Sequence, residues 1–164
     1  MTRKKPLPLL LFAAVAVALV AVVIAGCGGG EDQATAASSG MSSASTVNAS
    51  DAGDLGKVLV DSQGRTLYLF EADKGTKSAC DGACANIWPP LVTKGKPTAG
   101  PGLTASALGT TKRSDGATEL TYNGHPLYTY AGDTAAGQTS GQGLDDYGAE
   151  WYALSARGDK IDNG

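Results

Sequence analysis

Two ten-residue stretches decide the fold: GRTLYLFEAD at residues 64–73 and GHPLYTYAGD at residues 124–133. Both contain a glycine, a leucine, a tyrosine, a second aromatic residue and a closing aspartate at the same spacing. The sequence therefore states one motif twice, Tyr-x-aromatic-x-x-Asp. Its positions are Tyr68, Phe70 and Asp73 in the first copy, and Tyr128, Tyr130 and Asp133 in the second.

The repeated motif has the alternation of a β-strand. Because successive side chains of a strand point to opposite faces, Leu67 and Leu69 face away from Tyr68 and Phe70. We interpret the motif as a scaffold in which both faces are covered, and in which the closing aspartates accept backbone N–H bonds that fix a turn. The alternative is an aromatic platform that binds a sugar, a quinone or a peptide.

The surrounding sequence predicts a mainly β domain. Strand patterns occur in KVLV, TLYLF, TTKR, TELTY, PLYTY and WYALSA, and Asn123–Gly124 is a strong signal for a tight hairpin turn. CDGACANIW and TASALG predict one or two short helices. Each motif copy is followed by a loop and by a tryptophan, Trp88 or Trp151, which we expect to anchor its half. The predicted fold is two pseudo-repeated β-hairpin units that form a small antiparallel sheet domain.

The N-terminus has the features of a bacterial lipoprotein signal peptide. Arg3, Lys4 and Lys5 precede an uncharged apolar run that ends in IAGC at Cys27. The small residues before the cysteine fit a signal peptidase, and the thiol is the acceptor for lipid. We predict that residues 1–26 are removed rather than kept as a membrane helix. Diacylated Cys27 then anchors the protein to the lipid bilayer of the cell membrane, on its extracytoplasmic face.

Composition separates a tether from a folded domain. Residues 27–55 are rich in Gly, Ala and Ser and contain no aromatic residue, so we predict the lipidated cysteine followed by a disordered tether. The folded domain is predicted at residues 56–158, with repeat units at about 56–92 and about 110–156. After cleavage, ten basic residues stand against sixteen acidic ones, a net charge of −6. This balance argues against nucleic acid as a partner.

Two cysteines are available after lipidation, Cys80 and Cys84 in CDGAC. In an exported protein such a pair predicts a disulfide, and closing so small a ring adds about 2 kcal/mol of stability. The alternative is a thiol-redox or copper site formed by Cys80, Cys84 and His125, the single histidine. The chain lacks both the βαβ pattern of copper chaperones with this spacing and a methionine cluster for Cu(I). We therefore expect no metal and no cofactor.

The sequence contains no motif of a known catalytic class. GxSxG, HExxH and a Gly-rich loop between a strand and a helix do not occur. Asp145, Asp146 and Glu150 lie close together in GLDDYGAE, but they do not follow the Ca²⁺-loop pattern, and we interpret them as part of a solvated loop. We expect no catalytic residue and no enzymatic activity.

These segments together resemble a bacterial family. LYLFEAD, CDGACANIWPPL and YNGHPLYTYAGD are similar to the secreted-repeat lipoproteins that are marked by the Tyr-x-aromatic-x-x-Asp motif. The resemblance covers about residues 56–156 and shows no departure from the family pattern. It implies an exported, often lipid-anchored protein of unknown biochemical function, and it implies no particular reaction.

The sequence thus favours a membrane-anchored extracytoplasmic lipoprotein that acts as a non-enzymatic binding or structural module of the cell envelope. Its partner would be an envelope ligand or protein. The alternative is an extracytoplasmic redox or copper-handling protein that uses Cys80 and Cys84, with help from His125.

Overall fold

The computed structural model describes residues 45–162. The predicted signal peptide (residues 1–26), the lipidation site Cys27 and the tether as far as residue 44 lie outside these residues. Within the described part, no helix is both long enough and apolar enough to cross a membrane. All described residues belong to one unit, Ser38–Gly164.

Residues 45–162 are mainly β, as the alternating sequence patterns predicted. One helix, α1 (Ala83–Ile87), lies in the predicted CDGACANIW segment, and single 3-10 turns occur at Gly53–Leu55 and Ala105–Ala107. The predicted fold class is confirmed. The strands are β1 (Thr46–Asp51), β2 (Lys57–Val60), β3 (Tyr68–Phe70), β4 (Thr98–Ala99), β5 (Leu108–Lys112), β6 (Thr118–Tyr122), β7 (His125–Pro126), β8 (Leu144–Asp146) and β9 (Ala149–Ala153).

These strands form three small sheets, in the orders β2-β1-β4, β3-β9-β8 and β5-β6-β7. All of the strand pairs are antiparallel except that of β1 with β4. The turn between β6 and β7 has positive φ at both Asn123 (49°) and Gly124 (86°). A type I′ hairpin requires this combination, so the predicted hairpin is confirmed.

The folded region begins earlier than the sequence predicted. Strand β1 lies inside the predicted tether of residues 27–55 and pairs with β2, beginning with Asn48 opposite Val60. Its sequence, TVNASD, has little strand propensity of its own, and within it only Val47 is fully buried. The prediction of disorder is therefore wrong for β1, because pairing with the apolar β2 stabilises a segment that composition alone assigns to the tether.

A second hairpin, β8–β9, occupies a segment that we predicted to be a solvated loop. Leu144 pairs with Trp151, and Asp146 pairs with Ala149. The turn places Tyr147 at φ 59°, a conformation that a bulky residue seldom adopts. The sequence did not predict this hairpin because Tyr-Gly is not one of the usual turn pairs.

The two halves of the domain exchange their last segments: β9 pairs with β3 of the first half, and residues 90–92 form isolated bridges with the second half. We call residues 45–92 repeat 1 and residues 108–155 repeat 2. Leu59 and Leu67 of repeat 1 form a closed ring of backbone hydrogen bonds with Leu154 of repeat 2. Leu59 N–H donates to Leu154 O (2.8 Å), Leu67 N–H to Leu59 O (2.9 Å), and Leu154 N–H to Leu67 O (3.2 Å).

An equivalent ring joins repeat 2 to a segment of repeat 1. Leu120 N–H donates to Leu91 O (2.8 Å), Leu127 N–H to Leu120 O (3.0 Å), and Leu91 N–H to Leu127 O (2.8 Å). Each repeat thus needs the last segment of the other to satisfy its backbone groups. We infer that the two repeats fold as a single cooperative unit.

Two apolar clusters lie on opposite faces of the motif strand β3. Leu67 and Leu69 belong to a leucine-rich cluster, and Tyr68 and Phe70 belong to an aromatic cluster. This arrangement confirms the predicted alternation along the motif. The leucine-rich cluster also contains Val47, Leu59, Leu120, Tyr122, Leu127, Tyr152 and Leu154, and the aromatic cluster also contains Val58, Val60, Cys80, Cys84, Trp88, Tyr128, Trp151 and Ala153.

The exchanged strand yields a stability prediction. Leu154→Ala removes a fully buried side chain at the ring that joins the repeats, and we expect it to lower the free energy of unfolding by about 2–5 kcal/mol in urea denaturation. Val92→Ala is the control, because Val92 lies in the other exchanged segment but is 45% exposed, and its cost should stay near 0.5 kcal/mol. Equal costs for the two variants would contradict the proposed importance of the ring.

Candidate functional site

The motif tyrosines lie where the two repeats meet. Tyr68 N–H donates to Tyr128 O (2.8 Å), and Tyr128 N–H donates to Tyr68 O (3.1 Å), so the two residues form one antiparallel pair. Both side chains are fully buried. The pair relates the two copies of the motif by a pseudo-twofold axis that passes between these two residues.

Each tyrosine hydroxyl binds the aspartate of the opposite repeat. Tyr68 Oη donates to Asp133 Oδ2 at 2.6 Å. Tyr128 Oη donates to Asp73, with its two carboxylate oxygens at 3.1 and 3.2 Å. We call these four residues the crossed latch. Because each bond runs from one repeat to the other, the motif holds the two repeats together.

The same aspartates also fix the loops that follow them. Asp73 Oδ1 accepts Ala79 N–H, and Asp133 Oδ1 accepts Ser140 N–H, both at 2.8 Å. This is the turn-fixing role that the sequence suggested for a carboxylate at the end of a strand. A carboxylate can accept several hydrogen bonds, so one side chain serves both the loop and the latch.

Four aromatic rings form a continuous stack across the repeat boundary. Phe70 stacks on Trp151 and Trp151 stacks on Trp88, each with ring centroids 4.0 Å apart. Trp88 in turn contacts Tyr130 at 4.4 Å. The second aromatic residue of each motif thus packs on the tryptophan of the other repeat. Such pairs add about 0.5–1.5 kcal/mol each beyond the burial of their area.

A buried ion pair extends one side of the crossed latch. Arg113 Nη1 donates to Glu119 Oε2 (2.8 Å) and to Ser78 Oγ (2.7 Å), and the Ser78 hydroxyl lies 2.6 Å from Tyr128 Oη. Since Tyr128 uses its proton to bind Asp73, the Ser78 hydroxyl is the donor to Tyr128 Oη. The hydrogen bonds therefore run in one direction, from Arg113 through Ser78 and Tyr128 to Asp73.

Sequence reasoning missed this ion pair. Glu119 lies on the face of β6 opposite Leu120 and Tyr122, where strand alternation predicts a solvated residue, and its counterpart in repeat 1 is the apolar Val58. Arg113 follows β5 in a turn segment, where a basic residue is ordinarily solvated. A comparison of Glu119 with Val58 between the two repeats was the only signal that could have drawn attention to it.

Burial changes the acidity of the groups in this network. It raises the pKa of Asp73 from its ordinary 3.8 to about 6, although hydrogen bonds from Ala79 and Tyr128 act in the opposite direction. Burial also raises the pKa of Glu119 to about 7, against the opposing effect of Arg113. The pKa values of the Tyr68 and Tyr128 hydroxyls are raised mainly by burial, so both tyrosines stay protonated donors.

The structure joins Cys80 and Cys84 in a disulfide, with Cα atoms 5.3 Å apart. Both residues are buried in the aromatic cluster at the start of α1. The predicted disulfide is therefore supported, and the bond fixes the helix that leads into Trp88. Arg113 Nη2 donates to the Cys80 carbonyl, which links the disulfide segment to the buried ion pair.

The alternative metal ligands are not brought together. His125 is partly buried at the start of β7 and lines a cleft that also contains Asp73 and Lys160. Among residues 45–162 there is no group of three His, Cys, Asp or Glu side chains placed to hold a metal ion. Cys80, Cys84 and His125 therefore do not form a ligand set in this structure.

The crossed latch yields a prediction about its two halves. Tyr68→Phe removes the donor to Asp133, a fully buried bond, and we expect a loss of about 2 kcal/mol of unfolding free energy. Tyr128→Phe should also cost about 2 kcal/mol, because it removes the longer bonds to Asp73 together with the partner of the Ser78 hydroxyl. Tyr147→Phe serves as the control, because its hydroxyl makes only a solvent-exposed 3.3 Å bond to Ala83 O, and its cost should stay below about 0.5 kcal/mol.

The raised pKa values of Asp73 and Glu119 yield a pH prediction. Folded Asp73 and Glu119 hold their protons to about pH 6 and 7, whereas the unfolded chain releases them near its ordinary values of 3.8 and 4.5. The native state therefore binds more protons between these limits, and stability falls as pH rises through this window. We expect the calorimetric Tm to be at least about 4 °C lower at pH 7.5 than at pH 5.

Glu119→Gln is the matched variant for this pH dependence. Glutamine keeps the size of the side chain but cannot titrate, so the difference between the two Tm values should shrink even though the variant is less stable overall. A wild-type Tm that rises from pH 5 to pH 7.5, or an unchanged slope in Glu119→Gln, would contradict the assignment.

Comparison with known proteins agrees with the repeat seen in the structure. A family model described as a secreted repeat of unknown function matches residues 49–92 and again residues 109–155. Neither the curated proteins nor the solved structures searched contain a match to the chain. The two matched segments coincide with the two halves that exchange strands, and each contains one copy of the motif. The chain therefore belongs to this family of secreted repeat proteins.

Proposed function

We propose that this protein is a membrane-tethered module on the extracytoplasmic face of the cell, which binds an envelope ligand or protein without performing catalysis. The observation that carries the proposal is that the reactive side chains of the motif are engaged within the fold. Both motif tyrosines donate to aspartates, and both cysteines of CDGAC are in a disulfide. A partner would therefore bind to the surface of the module rather than to the side chains of the motif.

The proposed anchor is the acylated Cys27. The basic N-terminus, the uncharged apolar run and the small residues before Cys27 support it. In the proposed arrangement, residues 28–44 connect the lipid to β1 and set how far the domain reaches from the membrane. The net charge of −6 after cleavage favours contact with neutral or basic envelope components over anionic lipid.

The redox or copper alternative has less support. A thiolate-copper role requires free Cys80 and Cys84, whereas they are bonded to each other, and a redox role requires a disulfide that a thiol can reach, whereas both cysteines are buried. A reductant would have to open the aromatic cluster to reach them, since the exposed fractions are 0% and 5%. A structural role for the disulfide is the better proposal.

The test compares the wild-type protein with Cys27→Ser in a bacterium that processes lipoproteins. We expect wild type to stay in the membrane fraction and to incorporate labelled fatty acid, and Cys27→Ser to lose the label and leave that fraction. Cross-linking in intact cells should then recover envelope components with the wild-type protein that are absent with Cys27→Ser. Equal membrane retention of both proteins, or no cross-linked component above that control, would count against the proposal.

A further inference from the structure

The two repeats differ in the space beside their hairpin turns. In repeat 2, the loop after Asp133 folds back onto the hairpin turn of repeat 1. Gly137 N–H donates to Gly64 O (3.1 Å), and Thr66 Oγ1 donates to Gln138 O (2.7 Å). The contact is close, since a methyl group added at Gly64 would lie 2.9 Å from the Ala136 side chain. A peptide segment of the chain itself thus fills this space.

The pseudo-twofold axis relates the filled space beside Gly64 to an open cleft beside the hairpin turn at Gly124 and His125. The corresponding loop, after Asp73, closes on itself through paired backbone bonds between Lys74 and Lys77, both 3.1 Å. Among the described residues, no hydrogen bond joins it to the hairpin turn at Gly124 and His125. A cleft of about 480 Å³ is left between the loop and the turn. This volume is within the range of small-ligand sites.

The open cleft has the parts of a binding site. It is lined by the polar residues Asp73, Glu71, His125 and Lys160, together with Gly75 and the ends of the β3 residues Leu69 and Phe70. Asp133, the counterpart of Asp73, is 4% exposed beneath its own loop, whereas Asp73 is only partly buried. Asp73 is therefore more accessible than its counterpart, and it lines the cleft.

The charges in the cleft favour a positively charged occupant. Lys160 Nζ is 2.9 Å from Glu71 Oε1, so these two charges neutralise each other. The carboxylate of Asp73 has no ion-pair partner among the salt bridges of the described residues. A ligand that brings a cation to this carboxylate gains a charge-assisted contact.

We propose that this cleft binds a short extended peptide that carries a positive charge, in the position that residues 136–138 occupy in the filled copy. A peptide N–H would donate to the Gly124 carbonyl, as Gly137 N–H donates to Gly64 O, whereas Pro126, the counterpart of Thr66, has no hydroxyl to donate. The inference deepens the proposed binding role and rests on it, because it assigns that role to one place on the surface.

A peptide copied from the loop that fills the equivalent space serves as the probe. Three blocked heptapeptides, TAAGQTS (the sequence of residues 134–140), TAKGQTS and TAEGQTS, are titrated to about 5 mM into the ¹⁵N-labelled folded domain. We expect amide shifts centred on Asp73, Gly75, His125 and Lys160. TAKGQTS should bind about fivefold more tightly than TAEGQTS, the change expected for one favourable polar contact.

His125→Ala should weaken the binding of TAKGQTS by about fivefold or more, because it removes one wall of the cleft. Arg65→Ala is the matched control, since Arg65 holds the equivalent position in the filled copy and its loss should leave the affinity unchanged. Asp73→Asn is a second variant that keeps the shape of the side chain, and it should abolish the preference for TAKGQTS over TAEGQTS. The amide spectrum of Asp73→Asn should keep the dispersion of the folded wild-type domain, which separates a lost preference from a lost fold.

Shifts that are absent or scattered over the surface would overturn the proposal. So would an affinity that is unchanged in His125→Ala, or equal affinities for TAKGQTS and TAEGQTS in the wild-type domain. The proposed envelope role is judged separately. If His125→Ala in the full chain still recovers the same cross-linked components as wild type, the role survives and the cleft is not its site.

Discussion

The structure depends on the contact between Tyr68 and Tyr128. Their backbones exchange two hydrogen bonds, and their hydroxyls reach the aspartates of the opposite repeats. The contact therefore joins the repeats at the main chain and at the side chains together. Buried hydroxyls and carboxylates are costly without partners, and the crossing supplies a partner for each of them. The exchange of the last strands and the aromatic stack are arranged around this pair.

This arrangement explains why a domain of modest size and high glycine content forms a defined core. Neither repeat alone can form its ring of leucine backbone hydrogen bonds or cover its tryptophan. Contacts within one repeat therefore add little stability until the other repeat is folded against it. The disulfide between Cys80 and Cys84 adds a constraint next to the stack. The stability of the domain thus comes from the interface between the repeats more than from either repeat.

The symmetry also separates structural features from features open to function. Residues that obey it, such as the motif tyrosines and aspartates, serve the fold in both copies. Several departures from symmetry surround Asp73: Glu119 in place of Val58, the Ser78 and Arg113 network, and the open cleft beside His125. One copy of this surface is filled by residues 136–138 of the chain, and the equivalent cleft beside His125 is the place where we propose that a partner binds.

The sequence by itself determined the mainly β class, the two repeats, the alternation along the motif and the Asn123–Gly124 hairpin, because these depend on local spacing and turn chemistry. It also indicated the disulfide, from an even cysteine pair in an exported chain. Only the tertiary structure decided that β1 is ordered, that each hydroxyl binds across the axis, and that Arg113 and Glu119 are buried together. These features join residues that are distant in sequence. A local sequence pattern does not show which distant strand, carboxylate or charge a residue will contact.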